Sequence, residues 1–490
     1  LIALKEAYLP NNYIPPQDPA PPRTPREKFA ANITAIRTLK SIEKRMADGG
    51  PHANGEEQEI LAQYSGWGGL SDAFEPNKDS WHSEYTELKS LLTEEEYAAA
   101  RSSTLTAFYT PPEVIDAMYT ALRKMGVGAG TILEPSMGVG AFFGQSHSYL
   151  YEPTTRLFGV ELDSLTGRIA RQLYQKANIQ ITGFEKADLP DSFFDVVIGN
   201  VPFGQFKVQD KRYDRENFLI HDFFFAKALD KVRPNGVVAF VTSKGTLDKE
   251  NPKVRKYLAQ RAELLGAIRL PNNTFAKNAG TEVTADIIFL QKRERFIAEP
   301  DAEWLKIGEK DGVRMNQYFI NHPEMVLGEM REISGAFGKE TACIAREGEN
   351  LSDLLENAVA NIQGKMIPLA EPAAEFDAKE APEIDASIPA EDRLRNFSYG
   401  VFEGKLYYRN NSRMYPMKLN PAAESRIRRL IEIRDSVRRL IDYQLNDGSD
   451  AEILSEQVKL NKLYDDFVRE YGIINSRANA AAFRDDDSYY

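Results

Sequence analysis

The sequence predicts a doubly wound, Rossmann-like α/β sheet with an antiparallel edge strand, flanked by helical N- and C-terminal regions. Short apolar runs alternate with helical stretches from Leu105 to about Arg295, at 131–133, 157–161, 179–182, 194–199, 237–242, 264–270 and 284–291. The run Phe194-Asp195-Val196-Val197-Ile198-Gly199 is nearly continuous in apolar character, as a strand covered on both faces must be. The last two runs are joined by residues 271–283 without a helical stretch, which predicts an antiparallel pair at the sheet edge.

The elements follow in order. Residues 1–24 are rich in proline and read as an extended lead-in. Thr24 before Pro25 marks a helix start, and Phe29, Ile33, Ile36, Leu39, Ile42 and Met46 then recur at three- and four-residue steps. Tyr64-Ser65-Gly66-Trp67-Gly68-Gly69 is a glycine-rich turn, and Thr93-Glu94-Glu95-Glu96 has the form of a capping box. Residues 25–104 therefore read as a small helical domain, and 105–295 as the α/β domain. An extension, 296–364, precedes a linker of Ala, Glu, Pro and Asp at 365–396. Residues 397–490 read as mostly helical, with two helices over 421–471. Arg426, Arg428, Arg429, Arg434, Arg438 and Arg439 alternate there with acids, the pattern of a solvated, salt-bridged face, with a DNA-binding stripe as the alternative.

Composition narrows the function. The 490 residues carry a formal charge of −12, which excludes a globally basic nucleic-acid binder and confines any such contact to local patches. Cys343 is the single cysteine and the five histidines are scattered, so no metal-ligand spacing is present and no metal is expected. No apolar run approaches a membrane span, and no secretory signal opens the chain, which starts Leu1-Ile2-Ala3. The expectation is an excerpt of a longer cytoplasmic protein.

The chemistry-bearing residues sit where strands end. Asn200-Val201-Pro202-Phe203-Gly204 closes the central apolar run, putting an amide, a rigid turn and an aromatic ring at a carboxyl edge, where open α/β sheets bind ligands. The trio suits a flat base with an exocyclic amino group. Upstream, Glu134-Pro135-Ser136-Met137-Gly138-Val139-Gly140 is strand, tight turn and helix start, and its glycines admit close approach to the backbone. Glu161 ends the next strand at the spacing of a ribose-binding acid, and Asp188 follows the third strand. Phe108-Tyr109-Thr110-Pro111-Pro112 opens a helix, with Thr110 as its cap. Gly138, Gly140 and Gly144 are one residue too widely spaced for the dinucleotide fingerprint, and Glu134 would repel a pyrophosphate, so a cationic ligand fits better.

In this order the motifs resemble the S-adenosylmethionine-dependent N6-adenine DNA methyltransferases, in the group that holds the modification subunits of type I restriction systems. The resemblance covers about 105–295. It implies that Tyr109, Thr110 and Pro111 line the methionine end of S-adenosylmethionine. Glu134, Pro135, Ser136, Gly138 and Gly140 would hold its amino-acid portion, Glu161 its ribose and Asp188 its adenine. Asn200 and the Val201 carbonyl would accept hydrogen bonds from the target amino group, with Pro202 holding the turn and Phe203 stacking on the extruded base. The family usually has proline where this chain has Val201.

The Tyr64–Gly69 turn, 318–325 and 460–465 also resemble very large methylase–helicase fusion proteins of conjugative elements and phages, which implies a helicase-like module C-terminal to this region. Lys207, Lys211, Arg212 and Arg215 follow the base motif and are expected to contact DNA phosphates. Two alternatives stay open at this point. Related motifs also serve glutamine-amide and RNA methylation, and the departure at Val201 allows a non-catalytic DNA-binding or scaffolding module.

Overall fold

The computed structural model describes residues 10–16, 23–104, 110–151, 154–276, 282–335, 338–366, 387–391, 394–410, 413–445, 448–474, 476–483 and 486. Most of the expected linker, and residues 1–9 and 17–22 of the proline-rich lead-in, lie outside them. The chain divides into two units, 1–187 with 194–366, and 188–193 with 367–490.

In the first unit, helices α1 (Pro25–Ala47), α2 (Gly55–Leu61), α3 (His82–Leu91) and α4 (Glu94–Ser103) come first. Capping boxes start three of them, Thr24 with Glu27, Asn54 with Glu57 and Thr93 with Glu96. Each box satisfies two backbone N–H groups that a helix start otherwise leaves bare. The apolar stripe of α1 is buried against Trp67, whose ring meets Phe29, Tyr64 and Phe74 edge-on. Asn32, fully buried in that stripe, donates to the Gly66 carbonyl at 2.6 Å and accepts from the Ser65 N–H at 2.9 Å, which pins the glycine-rich turn.

The α/β part runs α5 (Pro112–Lys124), β1 (Thr131–Glu134), α6 (Ala141–Ser146), β2 (Arg156–Glu161), α7 (Ser164–Leu173), β3 (Asn178–Ile181), β4 (Phe194–Asn200), α8 (Ile220–Lys231), β5 (Val232–Ser243), α9 (Gly245–Asp248), α10 (Lys253–Ala259), β6 (Ala262–Arg269) and β7 (Ala285–Lys292). Among the described residues these strands form one seven-stranded sheet, ordered β3-β2-β1-β4-β5-β7-β6. β1 pairs in parallel with both β2 and β4, so the winding reverses between β1 and β4, and their carboxyl ends flank the crevice. β7 runs antiparallel to β5 and β6 and fills the gap between them, leaving β6 outermost.

Two details differ from the sequence reading. Pro111, not Thr110, occupies the cap position of α5, and no side-chain cap bond forms. β5 begins at Val232, before the apolar run at Val237, and its pairing with β4 shifts register there. The reason is electrostatic: Asp195 in β4 is buried with Arg233, Nε to Oδ1 at 2.7 Å, and also accepts from the Thr131 N–H at 2.8 Å. A buried carboxylate with these partners ties three strands together.

The helical domain locks onto the sheet through Arg168 of α7. Its guanidinium contacts Glu43 of α1 at 2.6 Å and Glu96 of α4 at 2.7 Å, and Lys40 contacts Glu96 at 3.0 Å. Residues 10–16 also pack here, with the Tyr13 N–H donating to the Leu173 carbonyl at 2.7 Å. Beyond β7 come the hairpin β8 (Ile307–Lys310) and β9 (Val313–Asn316), α11 (Gln317–Asn321), the hairpin β10 (Glu329–Gly335) and β11 (Gly338–Ile344), and α12 (Leu351–Asn361). Arg269 of β6, fully buried, holds Asp286 of β7 through two hydrogen bonds of 2.8 and 2.9 Å and faces Asp248 at 2.9 Å.

The second unit contains a small antiparallel sheet, β12 (Ile388–Pro389), β13 (Tyr399–Phe402), β14 (Lys405–Asn410) and β15 (Arg413–Pro416), in the order β12-β15-β14-β13. Helices α13 (Pro421–Leu445), α14 (Asp450–Tyr471) and α15 (Arg477–Phe483) follow. Tyr399, Leu406, Ile427, Leu430, Phe467 and Phe483 form its core. On α13, Arg428 pairs with Glu424, Arg429 with Glu432 and Arg439 with Glu456. Arg434 departs from the expected solvated face: it is 8% exposed and turned inward onto Asp486 at 2.8 Å.

Candidate active site

The crevice between β1 and β4 collects residues far apart in sequence. The Ser136 hydroxyl, just past β1, donates to the Asn200 carbonyl oxygen at 2.8 Å. Gly199 lies against the same turn, since a Cβ there would touch Glu134 Cγ at 3.4 Å and Pro135 Cδ at 3.8 Å. The strand ends that carry Glu134 and Asn200 are therefore side by side.

The glycine turn is built for close approach. Gly138 and Gly140 adopt φ of 55° and 88°, the left-handed region that glycine enters without cost. At Gly140 a Cβ would run into the Tyr174 ring. The Gly138 N–H donates to Glu161 Oε2 at 2.8 Å, and the Asp163 N–H to Glu161 Oε1 at 2.8 Å. The acid at the end of β2 thus faces the turn that follows β1.

Two carboxyl groups dominate the local electrostatics. Glu134 is 2% exposed, and its Oε2 is buried with no hydrogen-bond partner among the described residues. Burial first, and then the charge of Glu161, push its proton affinity well above the usual carboxylate range. Burial likewise pushes Glu161 up to about 7, although the N–H groups of Asp163 and Gly138 oppose the rise. A buried carboxylate without a partner is costly. With a second acid beside it, the site's chemistry calls for a cation and for hydroxyl donors.

The remaining positions vary. Thr110 and Pro111 are buried at the entrance to α5. Tyr109 lies outside the described residues, and Asp188 belongs to the segment grouped with the second unit. Val201 is 2% exposed, and its N–H donates to the Val241 carbonyl at 3.1 Å, extending the pairing of β4 with β5 by one residue. Proline could not make that bond, which gives valine a physical role here. Pro202 and Phe203 are half-buried, so the Phe203 ring is not lost to the core.

In the basic loop all four cations are exposed; Lys207 donates to the Asn217 amide oxygen at 2.6 Å and Arg212 pairs with Asp230 at 2.9 Å.

The model of the family described as N-6 DNA Methylase matches residues 91–339, half of the chain. This protein belongs to that N-6 DNA methylase family. It is 29% identical over 280 residues to "Defense against restriction protein B" of Escherichia phage P1, across 56% of this chain and 10% of the phage protein. It is 23% identical over 156 residues to the uncharacterized protein YtxK of Bacillus subtilis, across 29% of this chain and 46% of YtxK. The chain thus spans less than half the length of either relative.

Among solved structures it overlaps the type I restriction-modification system methyltransferase subunit from Streptococcus thermophilus, at 16% identity and a TM-score of 0.35, covering 60% of this chain and 91% of that one. It also overlaps the M protein of the type I restriction enzyme EcoKI, at 16% identity and a TM-score of 0.33, covering 55% and 62%.

Within this family member, the structure adds residues that the motifs did not signal. Tyr119 of α5 donates to the Phe142 carbonyl at 2.9 Å, and its proton affinity is raised by burial and then by the charge of Glu134. Tyr174 walls Gly140, and burial and then Glu134 raise it in the same direction. Neither tyrosine lies in a glycine or proline motif, so only three-dimensional proximity reveals them.

Proposed function

We propose that this N-6 DNA methylase transfers a methyl group from S-adenosylmethionine to the N6 amino group of adenine in DNA, with the target base turned out of the duplex. The observation that carries the reading is the Ser136–Asn200 bond, which sets a strand-end amide turn beside a buried carboxylate whose Oε2 has no hydrogen-bond partner among the described residues.

The residues present suit this methyl donor. Its amino-acid end is cationic at the ammonium, which answers the orphaned Glu134 oxygen. The Glu161 oxygens accept backbone N–H groups, from Gly138 at Oε2 and Asp163 at Oε1, and the carboxylate's lone pairs leave capacity for a further donor such as a ribose hydroxyl. When bound, S-adenosylmethionine would supply a methyl group on a sulfonium, whose sulfur departs as a neutral thioether with the C–S electron pair while the methylated nitrogen gives up one proton.

The protein's own residues do the rest. The Asn200 side chain and the Val201 carbonyl would accept the two hydrogens of the target amino group. That withdraws its lone pair from the ring and aims it for in-line attack. Ser136, by holding the Asn200 carbonyl, restricts how the turn sits, and such preorganisation is where catalysis without a metal is found. Turning a base out costs a few kcal/mol, and stacking on the half-buried Phe203 would return roughly 1–3 kcal/mol. Lys207, Lys211, Arg212 and Arg215 would contact backbone phosphate.

We further read the chain as part of a longer mobile-element protein with a helicase-like module after this region. That the match spans a tenth of the phage P1 relative supports this reading.

The test is transfer of labelled methyl from S-adenosylmethionine to DNA, with recovery of N6-methyladenine, alongside calorimetric titration of the methyl donor. Asn200→Ala and Phe203→Ala should abolish transfer while leaving donor binding measurable. Label recovered in RNA or in protein glutamine would replace the substrate. Absence of donor binding would end the enzymatic reading.

A further inference from the structure

In the second unit a buried carboxylate is held between an edge-strand peptide and an arginine of α13. The Asp486 carboxylate accepts from the Tyr399 N–H at 2.7 Å and from Arg434 Nη1 at 2.8 Å, and Arg434 Nη1 also donates to the Tyr399 carbonyl at 2.6 Å. The carboxylate is thus gripped between an edge-strand peptide and an arginine of α13. β13 is the outermost strand of its sheet, and the tight turn Glu403–Gly404, with φ of 46° and 77°, joins it to β14. Antiparallel pairing alternates inward and outward peptide groups, so Val401, two residues on, turns its N–H to the same open edge as Tyr399.

Arg438 lies one helical turn beyond Arg434. The two steps match in length, about 6.6 Å along the strand and about 6 Å along the helix. Arg438 is half-buried, and its Nη2 is shielded from water with no hydrogen-bond partner among the described residues. Val401 and Arg438 both line a cavity of about 500 Å³. An orphaned guanidinium nitrogen, an outward N–H and an open volume repeat, one step along, the pair of donors that holds Asp486.

We propose that Arg438 and the Val401 N–H hold a phosphodiester of a nucleic-acid strand in this cavity. Leu394, Phe402 and Met414 supply apolar walls for a sugar or base, and the volume exceeds what one carboxylate needs. Arg439 adds positive charge at the wall but is paired with Glu456 at 2.9 Å. Glu391 and Asp435 also face the cavity, and Asp435 contacts Arg434 Nε at 2.8 Å. These two acids favour the singly charged diester over a multiply charged free phosphate. The choice of a nucleic-acid strand rests on the reading that this chain acts on DNA.

The experiment measures binding of a labelled DNA oligonucleotide to the full chain by fluorescence anisotropy across a salt series. Arg438→Gln should weaken binding about tenfold and make the slope of log affinity against log salt shallower by about one. Its thermal midpoint and its affinity for S-adenosylmethionine should match those of the parent, because the shielded Nη2 has no hydrogen-bond partner among the described residues to lose. Val401→Pro should weaken binding without changing the slope, since it removes a donor and no charge.

Inorganic phosphate and dAMP serve as competitors, and neither should displace the oligonucleotide at comparable concentration. Parental affinity and slope in Arg438→Gln overturn the proposal. So does displacement by dAMP, which reassigns the cavity to free nucleotides. Arg438-dependent binding of an acidic peptide with DNA binding unaffected overturns it as well. Arg438-dependent DNA binding by a chain that transfers no methyl group keeps the clamp and removes the methylation reading. Methyl transfer with DNA binding indifferent to Arg438 does the reverse.

Discussion

Ser136 and Asn200 stand 64 residues apart in the chain and 2.8 Å apart in space, hydroxyl to carbonyl. The bond joins the turn after β1 to the end of β4, the proposed donor side and base side of the crevice. Ser136→Ala should leave affinity for S-adenosylmethionine within about twofold. It should lower kcat about three- to tenfold, the loss expected from one hydrogen bond of about 1 kcal/mol. Steady-state methyl transfer separates kcat from KM; a change confined to KM would show that the bond does not position the turn.

Glu161 makes the cofactor-free protein sensitive to pH. Burial raises this acid from its ordinary 4.5 to about 7. Between those values the folded state keeps a proton that the unfolded chain has released. Stability therefore falls as pH rises from about 4.5 to about 7 and levels off above, by up to about 3 kcal/mol. Glu161→Gln should flatten the thermal midpoint over that window. Donor binding should strengthen from about pH 6 to about pH 8, with proton release seen by calorimetry in buffers of different ionisation enthalpy. Binding that weakens with rising pH would contradict a ribose-holding carboxylate.

Arg168 couples the helical domain to the sheet. Glu96 would be raised by burial, but Arg168, the Thr93 N–H and Lys40 outweigh that and bring it to about 2. Arg168→Met should cost about 2–4 kcal/mol at neutral pH, because it strips a cation from a buried acid. Stabilisation of a depressed acid is present above its unfolded value and disappears as pH falls through its folded value. The gap between variant and parent should therefore narrow from about pH 4.5 toward about pH 2. Urea unfolding at a series of pH values measures it.

Val201 should be structural in its side chain and N–H and permissive for chemistry. Val201→Pro deletes the bond to the Val241 carbonyl and reshapes a buried position. A loss of about 1–2 kcal/mol in chemical denaturation is expected, with methyl transfer within about threefold of the parent. A large gain in rate would instead mean that valine impairs the site.

Local rules accounted for much of the fold. Thr24, Asn54 and Thr93 start helices because a short polar side chain and a glutamate three residues on satisfy bare N–H groups, a property of consecutive residues alone. The strand ends at Glu134, Glu161 and Asn200 were legible because apolar runs stop there. Thr110 was misread as a cap because Thr-Pro-Pro has the composition of a helix start, whereas Pro111 itself takes the cap position.

Taken alone, the sequence determined the alternation of strand and helix, the glycine turn and the order of the motifs, since periodicity, capping and backbone freedom act over a few residues. Tertiary structure decided which ends meet. Ser136 finding Asn200, the Glu134 Oε2 left without a hydrogen-bond partner among the described residues, β7 inserting between β5 and β6, and Arg434 turning inward while Arg438 faces a cavity all depend on burial and on pairing between distant segments. The free energy of a charge is set by what surrounds it, and the surroundings exist only once the chain has folded.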